Sequence, residues 1–398
     1  MPGDVAGQSA GTNFRVRKQL LEGIEQLKAG NLDAARTTFS EVIETNPETS
    51  AAHLGLGRVY FQERDLQAAL QCFQEALVRD PKSSLAKALI AHVREELGDI
   101  DAAMRDYEEA SEIDPSRGFA QRRISRIFAQ NEDYGEAINR LRAALQHNPQ
   151  QMATRFMLAN LLEQSGDAAA AKVEFQRVLD LNPNMGVAAY RLGRLYMRDG
   201  AMSAARPLLE EAVRLVSDNA APRLALGAVL KGLGEYDQAV AMLRDAQQLS
   251  ANPSSAGMII ADCQIKLGQP EEALKSLRQA LRRSRRPGLV HKRLGDLLVT
   301  LGKHKEATEE YRAAVLRQPE LGEKHPELKA LVDKSEASGA NSEALAKQIQ
   351  AMFASISAER RGAAEGKSPL MDDNPEGPDQ RRGAGTRFGR LRRQRGAK

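Results

Sequence analysis

The stretch SAAHLGLGRVYFQERDLQAALQCFQEALVRDP, residues 50–81, decides the fold. Its first half has one helical stripe, formed by Leu56, Gly57 and Tyr60. Its second half has another stripe at spacings of three and four, formed by Leu66, Ala69, Phe73 and Ala76. Apolar residues at these spacings predict amphipathic helices. A short polar turn separates the stripes, so the stretch predicts two helices, named helix A and helix B below.

The same pattern returns every thirty-four residues. Alanine occupies one place nine times running, at Ala35, Ala69, Ala103, Ala137, Ala171, Ala205, Ala239, Ala273 and Ala307. A fixed period of this length is typical of stacked repeats built from antiparallel helix pairs. The units, numbered repeats 1 to 9, begin at Val16, Ser50, Ser84, Gly118, Met152, Gly186, Ala220, Ser254 and Gly288. A larger side chain at the alanine would push the two helices apart.

Glycine and proline mark the ends of the helices. The turn after helix A carries glycine in seven repeats: Gly30, Gly98, Gly166, Gly200, Gly234, Gly268 and Gly302. Glycine suits a helix end that passes through a left-handed conformation, although Arg64 and Glu132 take its place in repeats 2 and 4. Proline closes helix B in six repeats: Pro47, Pro81, Pro115, Pro149, Pro183 and Pro319.

Two further positions complete a resemblance to the tetratricopeptide repeat family. Position eight is small: Gly23, Gly57, Ala91, Ser125, Ala159, Gly193, Gly227, Ala261 and Gly295. Position twenty-four is large and apolar: Phe39, Phe73, Tyr107, Leu141, Phe175, Leu209, Leu243, Leu277 and Tyr311. The resemblance covers residues 16–321. It implies a right-handed superhelical solenoid of nine helix-turn-helix units, whose helix A positions two, five, six, nine, twelve and thirteen line an inner, concave surface where partners bind.

The composition agrees with an all-α protein. Only 4% of the 398 residues are aromatic and Trp is absent, so there is little from which to build strands. Cys72 and Cys263 stand far apart, which argues against a disulfide framework or a CxxC metal site and favours a reducing compartment. The N-terminus lacks the pattern of a signal peptide, and no stretch approaches the ~18 apolar residues of a membrane span. We therefore expect a soluble, cytoplasmic protein.

The regions outside the array differ from it in composition. Residues 1–15 are small and polar, which predicts a disordered lead-in. Residues 322–361 predict capping helices over the last repeat, with a dimerising helix as the alternative. Residues 362–398 predict a disordered basic tail. From Gln380 to Lys398 there are eight basic residues and no acidic one, so the chain's net charge of +4 leaves −4 for residues 1–379.

Catalysis has little support in the sequence. The six histidines are scattered and none forms a metal-ligand spacing such as HExxH. No glycine loop that could cradle a phosphate is present, and the glycines of the array follow the repeat period. We therefore expect no catalytic residues, no metal, no cofactor and no small-molecule substrate.

The inner positions of repeats 4 to 6 differ from the structural pattern. They carry six arginines, three aromatic residues and one amide: Phe119, Arg122, Arg123, Arg126, Phe156, Asn160, Tyr190, Arg191, Arg194 and Arg198. Arginine binds carboxylates through paired N–H groups, and aromatic rings supply buried area. These residues predict a non-enzymatic scaffold or adaptor that holds an extended, acidic segment of a protein partner. The alternative is that the arginines pair with acidic residues of adjoining helices.

Two other functions stay open at this point. The tail predicts a polyanion-binding segment, formed by Arg381, Arg382, Arg387, Phe388, Arg390, Arg392, Arg393 and Arg395. It could anchor an adaptor weakly to nucleic acid through phosphates, or to anionic lipid. The array is also similar to that of bacterial envelope-assembly regulators of the same family. Those proteins carry a membrane helix and a metal-binding cysteine domain that this sequence does not predict.

Overall fold

Helices alternate with short turns throughout the computed structural model, which describes residues 4–249, 254–326 and 328–329. The helices are α1 Asp4–Lys28, α2 Leu32–Thr45, α3 Ser50–Gln62, α4 Leu66–Arg79, α5 Ser84–Glu96, α6 Ile100–Ile113, α7 Phe119–Gln130, α8 Tyr134–His147, α9 Met152–Gln164, α10 Ala168–Leu181, α11 Gly186–Arg198, α12 Met202–Leu215, α13 Ala220–Gly232, α14 Tyr236–Leu249, α15 Ser254–Lys266, α16 Pro270–Arg282, α17 Pro287–Thr300, α18 His304–Arg317 and α19 Pro319–Lys324. A 3-10 turn spans Pro115–Arg117. No strand occurs in the described ranges, so the all-α prediction is confirmed.

The helices follow the order of the predicted repeats, with the odd-numbered helices α1 to α17 as helix A and the even-numbered helices α2 to α18 as helix B. Consecutive helices pack on one another from α1 to α10 and from α13 to α19. Helix A also contacts the next helix A, as in α1 with α3 and α7 with α9. The superhelical hand stays a prediction.

Contacts divide the chain into two units. Unit 1 comprises Met1–Leu195 and Pro207–Ser217, and unit 2 comprises Tyr196–Arg206 and Asp218–Lys398. The core of unit 1 is built on large side chains of helix B, such as Phe39, which is fully buried. The core of unit 2 is built in the same way, for example around Tyr311.

The small residues of the period lie where two helices approach most closely. All nine alanines of the ladder are 0% exposed. Position-eight glycines face the position-twenty-four side chains directly. A Cβ on Gly57 would lie 2.5 Å from Cε1 of Phe73, and one on Gly295 would lie 2.5 Å from Cε1 of Tyr311. Glycine is therefore required there for space.

The turns after helix A have the left-handed backbone that the sequence predicts. The seven turn glycines have φ between 72° and 91°. Arg64 and Glu132 adopt φ of 67° and 63° at the same place. Side chains other than glycine are strained in this region, so the fold imposes the turn on these two residues.

Aspartate caps helix B in repeats 2 to 5. Asp65, Asp99, Asp133 and Asp167 each accept a hydrogen bond from the backbone N–H three residues on, at 3.0 to 3.2 Å. This bond satisfies one of the free N–H groups of the helix start. Asn31 holds the equivalent place before α2 and makes no such bond.

The two ends of the described chain differ from simple repeats. Helix α1 begins at Asp4, so its backbone includes much of the segment that the sequence predicts as a disordered lead-in. Adding residues to an existing helix is easier than starting one, and no proline follows Pro2 in this segment. At the other end, Leu321, the last residue of repeat 9, and Leu328 beyond it are buried. The rest of the predicted cap, and the tail, lie outside the described residues.

Candidate protein-interaction surface

Successive A helices of unit 1 lie side by side, and ring contacts join them. The centroids of Phe61 on α3 and His92 on α5 are 4.6 Å apart, and those of His92 and Phe119 on α7 are 6.2 Å apart. Residues four and three apart share one face of a helix. Positions five, nine and twelve of α3, α5, α7 and α9, with positions five and nine of α11, therefore form one surface. It is named the A-helix surface of unit 1.

Phe119 is partly buried at the edge of this surface. Its ring packs edge-on against His92 and, at 6.4 Å, against Tyr107. Phe119 therefore helps to join α7 to repeat 3, and part of the ring stays accessible to a partner.

Arg123 is a structural residue, which corrects its place among the predicted partner-binding arginines. Its side chain is only 10% exposed. The guanidinium binds Oε2 of Glu95 at 2.8 Å and donates to the Tyr107 hydroxyl at 3.2 Å. Because both partners belong to repeat 3, this network joins two repeats and is not available to a ligand. Arg123 is left out of the site proposed below.

Arg191 repeats this arrangement two units later. Its guanidinium binds Oε2 of Glu163 at 3.1 Å. As with Arg123 and Glu95, the arginine is at position six and the glutamate at position twelve of the preceding repeat. The side chain of Arg191 is more accessible, at 38% exposure. Arg191 and Glu163 therefore form an ion pair between two helices at the border of the A-helix surface.

Arg122 has a different environment. It is half-buried, and its Nη1 donates to Oγ1 of Thr154 at 2.9 Å and to Oε1 of Gln151 at 3.4 Å. No carboxylate pairs with it among the described residues. Burial lowers the pKa of the Arg122 guanidinium because it weakens the solvation of the cation. The site thus holds a partly desolvated positive charge that only neutral groups contact.

Arg126 lies one helical turn further along α7 and is exposed. It makes no hydrogen bond or ion pair within the ranges that the structure describes. Its positive charge acts on His92 of α5. Burial beside Phe61 and Phe119 lowers the pKa of His92, and the positive charges of Arg123 and Arg126 lower it further.

His92 and Phe61 belong to the site and were missed by sequence reasoning. Both occupy inner positions, nine and twelve, in repeats 3 and 2. They lie outside the arginine-rich repeats 4 to 6. Reading one inner position through all repeats would have found them.

Helix α9 contributes one ring and one amide. Phe156 is partly exposed and packs edge-on against Phe175 at 5.8 Å. Asn160, one turn further along, has a buried Oδ1 that accepts no hydrogen bond from any described group. A buried acceptor without a donor is unfavourable in free energy.

Helix α11 places a cation over an aromatic ring. The guanidinium carbon of Arg194 lies 5.6 Å from the ring centroid of Tyr190. This contact orients the arginine without neutralising its charge. Arg198 is exposed and belongs to unit 2, so it is described separately from the surface of unit 1.

Sequence models described as tetratricopeptide repeat match most of the array. One matches residues 20–84, 156–220 and 260–323, a second matches 128–178 and 196–263, and a third matches 86–117. The chain is a tetratricopeptide repeat protein.

Solved structures of other repeat proteins are similar to parts of it. MamA from residue 41 to its end, from Desulfovibrio magneticus RS-1, is 20% identical over 43% of this chain and 96% of its own, with a TM-score of 0.41. PilF of Pseudomonas aeruginosa is 18% identical over 54% of this chain and 97% of its own, with a TM-score of 0.44. YrrB, described as a TPR protein with an unusual peptide-binding site, is 21% identical over 46% of this chain and 95% of its own, with a TM-score of 0.35. A comparison with curated protein sequences finds no match.

The last two tetratricopeptide repeats of unit 2 carry carboxylates at position nine, where repeats 2, 4 and 6 carry arginines. Asp262, at position nine, accepts hydrogen bonds from Lys231 at 2.8 Å and from Arg293 at 2.7 Å. Asp296, at position nine of the next repeat, accepts from Lys292 and from the Tyr311 hydroxyl, both at 3.0 Å. These charges are therefore paired within the protein.

Other kinds of site find no support in the part of the repeat protein that the structure describes. No group of three His, Cys, Asp or Glu side chains could hold a metal ion there. Burial raises the pKa of the Cys72 and Cys263 thiols to about 11, which leaves little reactive thiolate at neutral pH. None of the described helices is both long and apolar enough to cross a membrane. The predicted polyanion-binding residues of the tail lie outside the described ranges.

Proposed function

We propose that this chain is a non-enzymatic scaffold that holds an extended, acidic segment of a partner protein on the A-helix surface of unit 1. The observation that carries the proposal is the pair Arg122 and Arg126 on α7. Neither has a carboxylate partner among the described residues, and both belong to one face of a helix. A carboxylate of the partner would give this face the anion that it lacks.

The neighbouring groups suit a peptide rather than a free anion. The accessible parts of Phe119, Phe156 and Tyr190 offer apolar contact on either side of the arginines. The partly exposed amide side chain of Asn160 lies beside them on the same surface. Charge, apolar area and an amide together are the groups that recognise an acidic peptide chain.

The test is binding of a fluorescent, Glu-rich peptide with interspersed Leu to the whole protein. We expect Arg122→Gln with Arg126→Gln to weaken binding about tenfold or more, because each removes a charged hydrogen bond. Arg142→Gln is the matched control, since Arg142 is exposed on α8 and has no described partner. Equal affinities of the double variant and the wild type would refute this site.

The basic tail supports a second candidate, a weak attachment to nucleic acid or anionic lipid. The segment from Gln380 to Lys398 holds eight basic residues and no acidic one. Salt-dependent binding to RNA or anionic vesicles should disappear when residues 380–398 are deleted. Retention of binding by the truncated chain would rule the attachment out.

We place the scaffold in the cytoplasm because its two cysteines are free thiols.

A further inference from the structure

Position nine of helix A carries a repeating set of polar side chains through unit 1. From repeat 2 to repeat 6 the residues are Arg58, His92, Arg126, Asn160 and Arg194. Arginine therefore returns in every second repeat, sixty-eight residues apart. Unit 2 holds Ala228, Asp262 and Asp296 at this position, so the alternation is a property of unit 1.

These three arginines differ from those at position six. Arg58 and Arg126 are exposed, and Arg194 lies over the Tyr190 ring. None of the three pairs with a carboxylate in the ranges that the structure describes. At position six, by contrast, Arg123 and Arg191 bind glutamates of the preceding repeat. Position six uses arginine to join helices, and position nine keeps its positive charge available.

Helix packing sets the distance between the position-nine arginines. Neighbouring helices pack at about 8–10 Å between axes, so two repeats separate successive arginines by about 16–20 Å. An extended chain advances about 3.3 Å per residue. About six residues of an extended ligand therefore span the distance from one arginine to the next.

We infer that Arg58, Arg126 and Arg194 bind carboxylates spaced about six residues apart along one extended partner segment. The inference rests on the proposed function and specifies the pattern that the partner must carry. Between the acidic residues the segment passes His92 and Asn160. The Asn160 side chain, which is partly exposed, lies beside the segment at such a point. Arg58 is thereby added to the site, two repeats before the region that the arginine cluster indicates.

The first experiment varies the spacing of charge and nothing else. Three labelled peptides of equal composition carry two glutamate pairs whose centres lie about three, six or nine residues apart. Affinity for the whole protein is measured by fluorescence anisotropy at low salt. We expect the six-residue spacing to bind about fivefold more tightly than the others, because only it engages two arginines at once.

The second experiment identifies the arginines. Arg58→Gln should weaken binding of the six-spaced peptide about fivefold and remove its advantage over the three-spaced peptide. Arg194→Gln should act in the same way, whereas Arg142→Gln should change neither affinity. Arg58 and Arg142 are both exposed without described partners. Each variant therefore loses one positive charge, and neither breaks a described contact of the fold.

The outcomes separate this inference from the proposed function. If no acidic peptide binds, both fail. If all spacings bind equally, or Arg58→Gln behaves like Arg142→Gln, the periodic pattern is wrong while an acidic site on α7 stands. Competition by single-stranded RNA against all three peptides alike would show a general polyanion surface and would also overturn the pattern.

Discussion

Glycine at position eight allows helix A to approach the large side chain at position twenty-four of helix B. The Phe73 ring is 1% exposed and closely surrounded, so it cannot turn aside for an added methyl group. Tight interiors transmit such a change as strain. The period of the sequence predicts this contact because both partners lie within one thirty-four-residue unit.

Replacing Gly57 by Ala tests the contact. The new Cβ would lie 2.5 Å from Cε1 and 2.7 Å from Cδ1 of Phe73, so we expect a loss of about 1–3 kcal/mol in unfolding free energy. Gly135→Ala on α8 is the control, because the nearest atom to its Cβ is Asp133 Oδ1 at 3.8 Å. Alanine there should stabilise the helix by up to about 1 kcal/mol. Urea unfolding of both variants measures the difference, and shifts of the same sign would contradict the argument.

His92 makes the stability of the fold depend on pH. Its pKa is lowered first by burial and then by Arg123; Glu95 and Glu96 partly oppose this, and Arg126 adds a smaller lowering effect. Below about pH 6.5, the ordinary histidine value, the unfolded chain binds a proton that the folded chain takes up less readily. Stability that is present above this pH is therefore lost as the pH falls through the lowered pKa.

We expect His92→Gln to lose less stability than the wild type between pH 7.5 and pH 5.5, because glutamine takes up no proton. Denaturant midpoints at the two values measure this. His147→Gln, at the exposed end of α8, serves as the control and should follow the wild type. Parallel losses in the wild type and His92→Gln would show that His92 does not carry the effect.

Arg123 shows which part of the site the sequence could not predict. Position six indicates which way the side chain points, but Glu95 and Tyr107, which bury it, lie in another repeat. Arg122, at position five, has only neutral partners, Gln151 at the end of its own repeat and Thr154 of the next. Contacts between repeats thus decide whether an arginine pairs within the protein or is available to a ligand. The pattern of a single thirty-four-residue repeat does not contain these contacts.

At the scale of helices, the boundaries of A and B follow closely from the period, and the exceptions have local causes. Helix α12 continues through Pro207, where sequence rules predict a break. Pro207 and Ser203 are both exposed. The carbonyl that loses its donor can therefore bind water. Helix α1 extends to Asp4 because a formed helix propagates more easily than it starts.

The aspartate caps provide a prediction for helix B. Asp167 Oδ1 accepts from the Ala170 N–H at 3.0 Å, so Asp167→Ala should cost about 1 kcal/mol. Asn31→Ala is the matched control, because Asn31 makes no cap bond before α2. We expect it to change stability by less than about 0.5 kcal/mol. Thermal unfolding of the two variants distinguishes a cap from a general preference for polar residues at this place.

At the scale of the molecule, the thirty-four-residue period explains why the repeats stack. The Arg–Glu ion pairs at alternate junctions explain the order in which the repeats follow one another. Every repeat shares the alanine ladder, so any two should pack equally well on that evidence alone. The ion pairs are less general, because Glu95 meets Arg123 and Glu163 meets Arg191, while Met157 fills position six between them. Repeats 3 to 6 therefore form two pairs, each joined by its own arginine and glutamate.

Deleting repeats should reveal this pairing. Removal of residues 118–151 would bring Met157 opposite Glu95 and leave that buried carboxylate without its arginine, at a cost of about 3 kcal/mol. Removal of residues 118–185 would bring Arg191 opposite Glu95 and restore a pair. We expect the longer deletion to be at least as stable as the shorter one in denaturant unfolding. A steady loss of stability with each repeat removed would contradict this.

The Arg–Glu pairs also bear on how such a chain can grow. Duplication of a single repeat within this region would insert an odd member and leave one arginine or one glutamate without a partner. Duplication of two together would copy a complete pair and keep the position-nine arginines in step. In this part of the chain, the smallest segment that can be duplicated without leaving an arginine or a glutamate unpaired is sixty-eight residues, twice the period of the alanines.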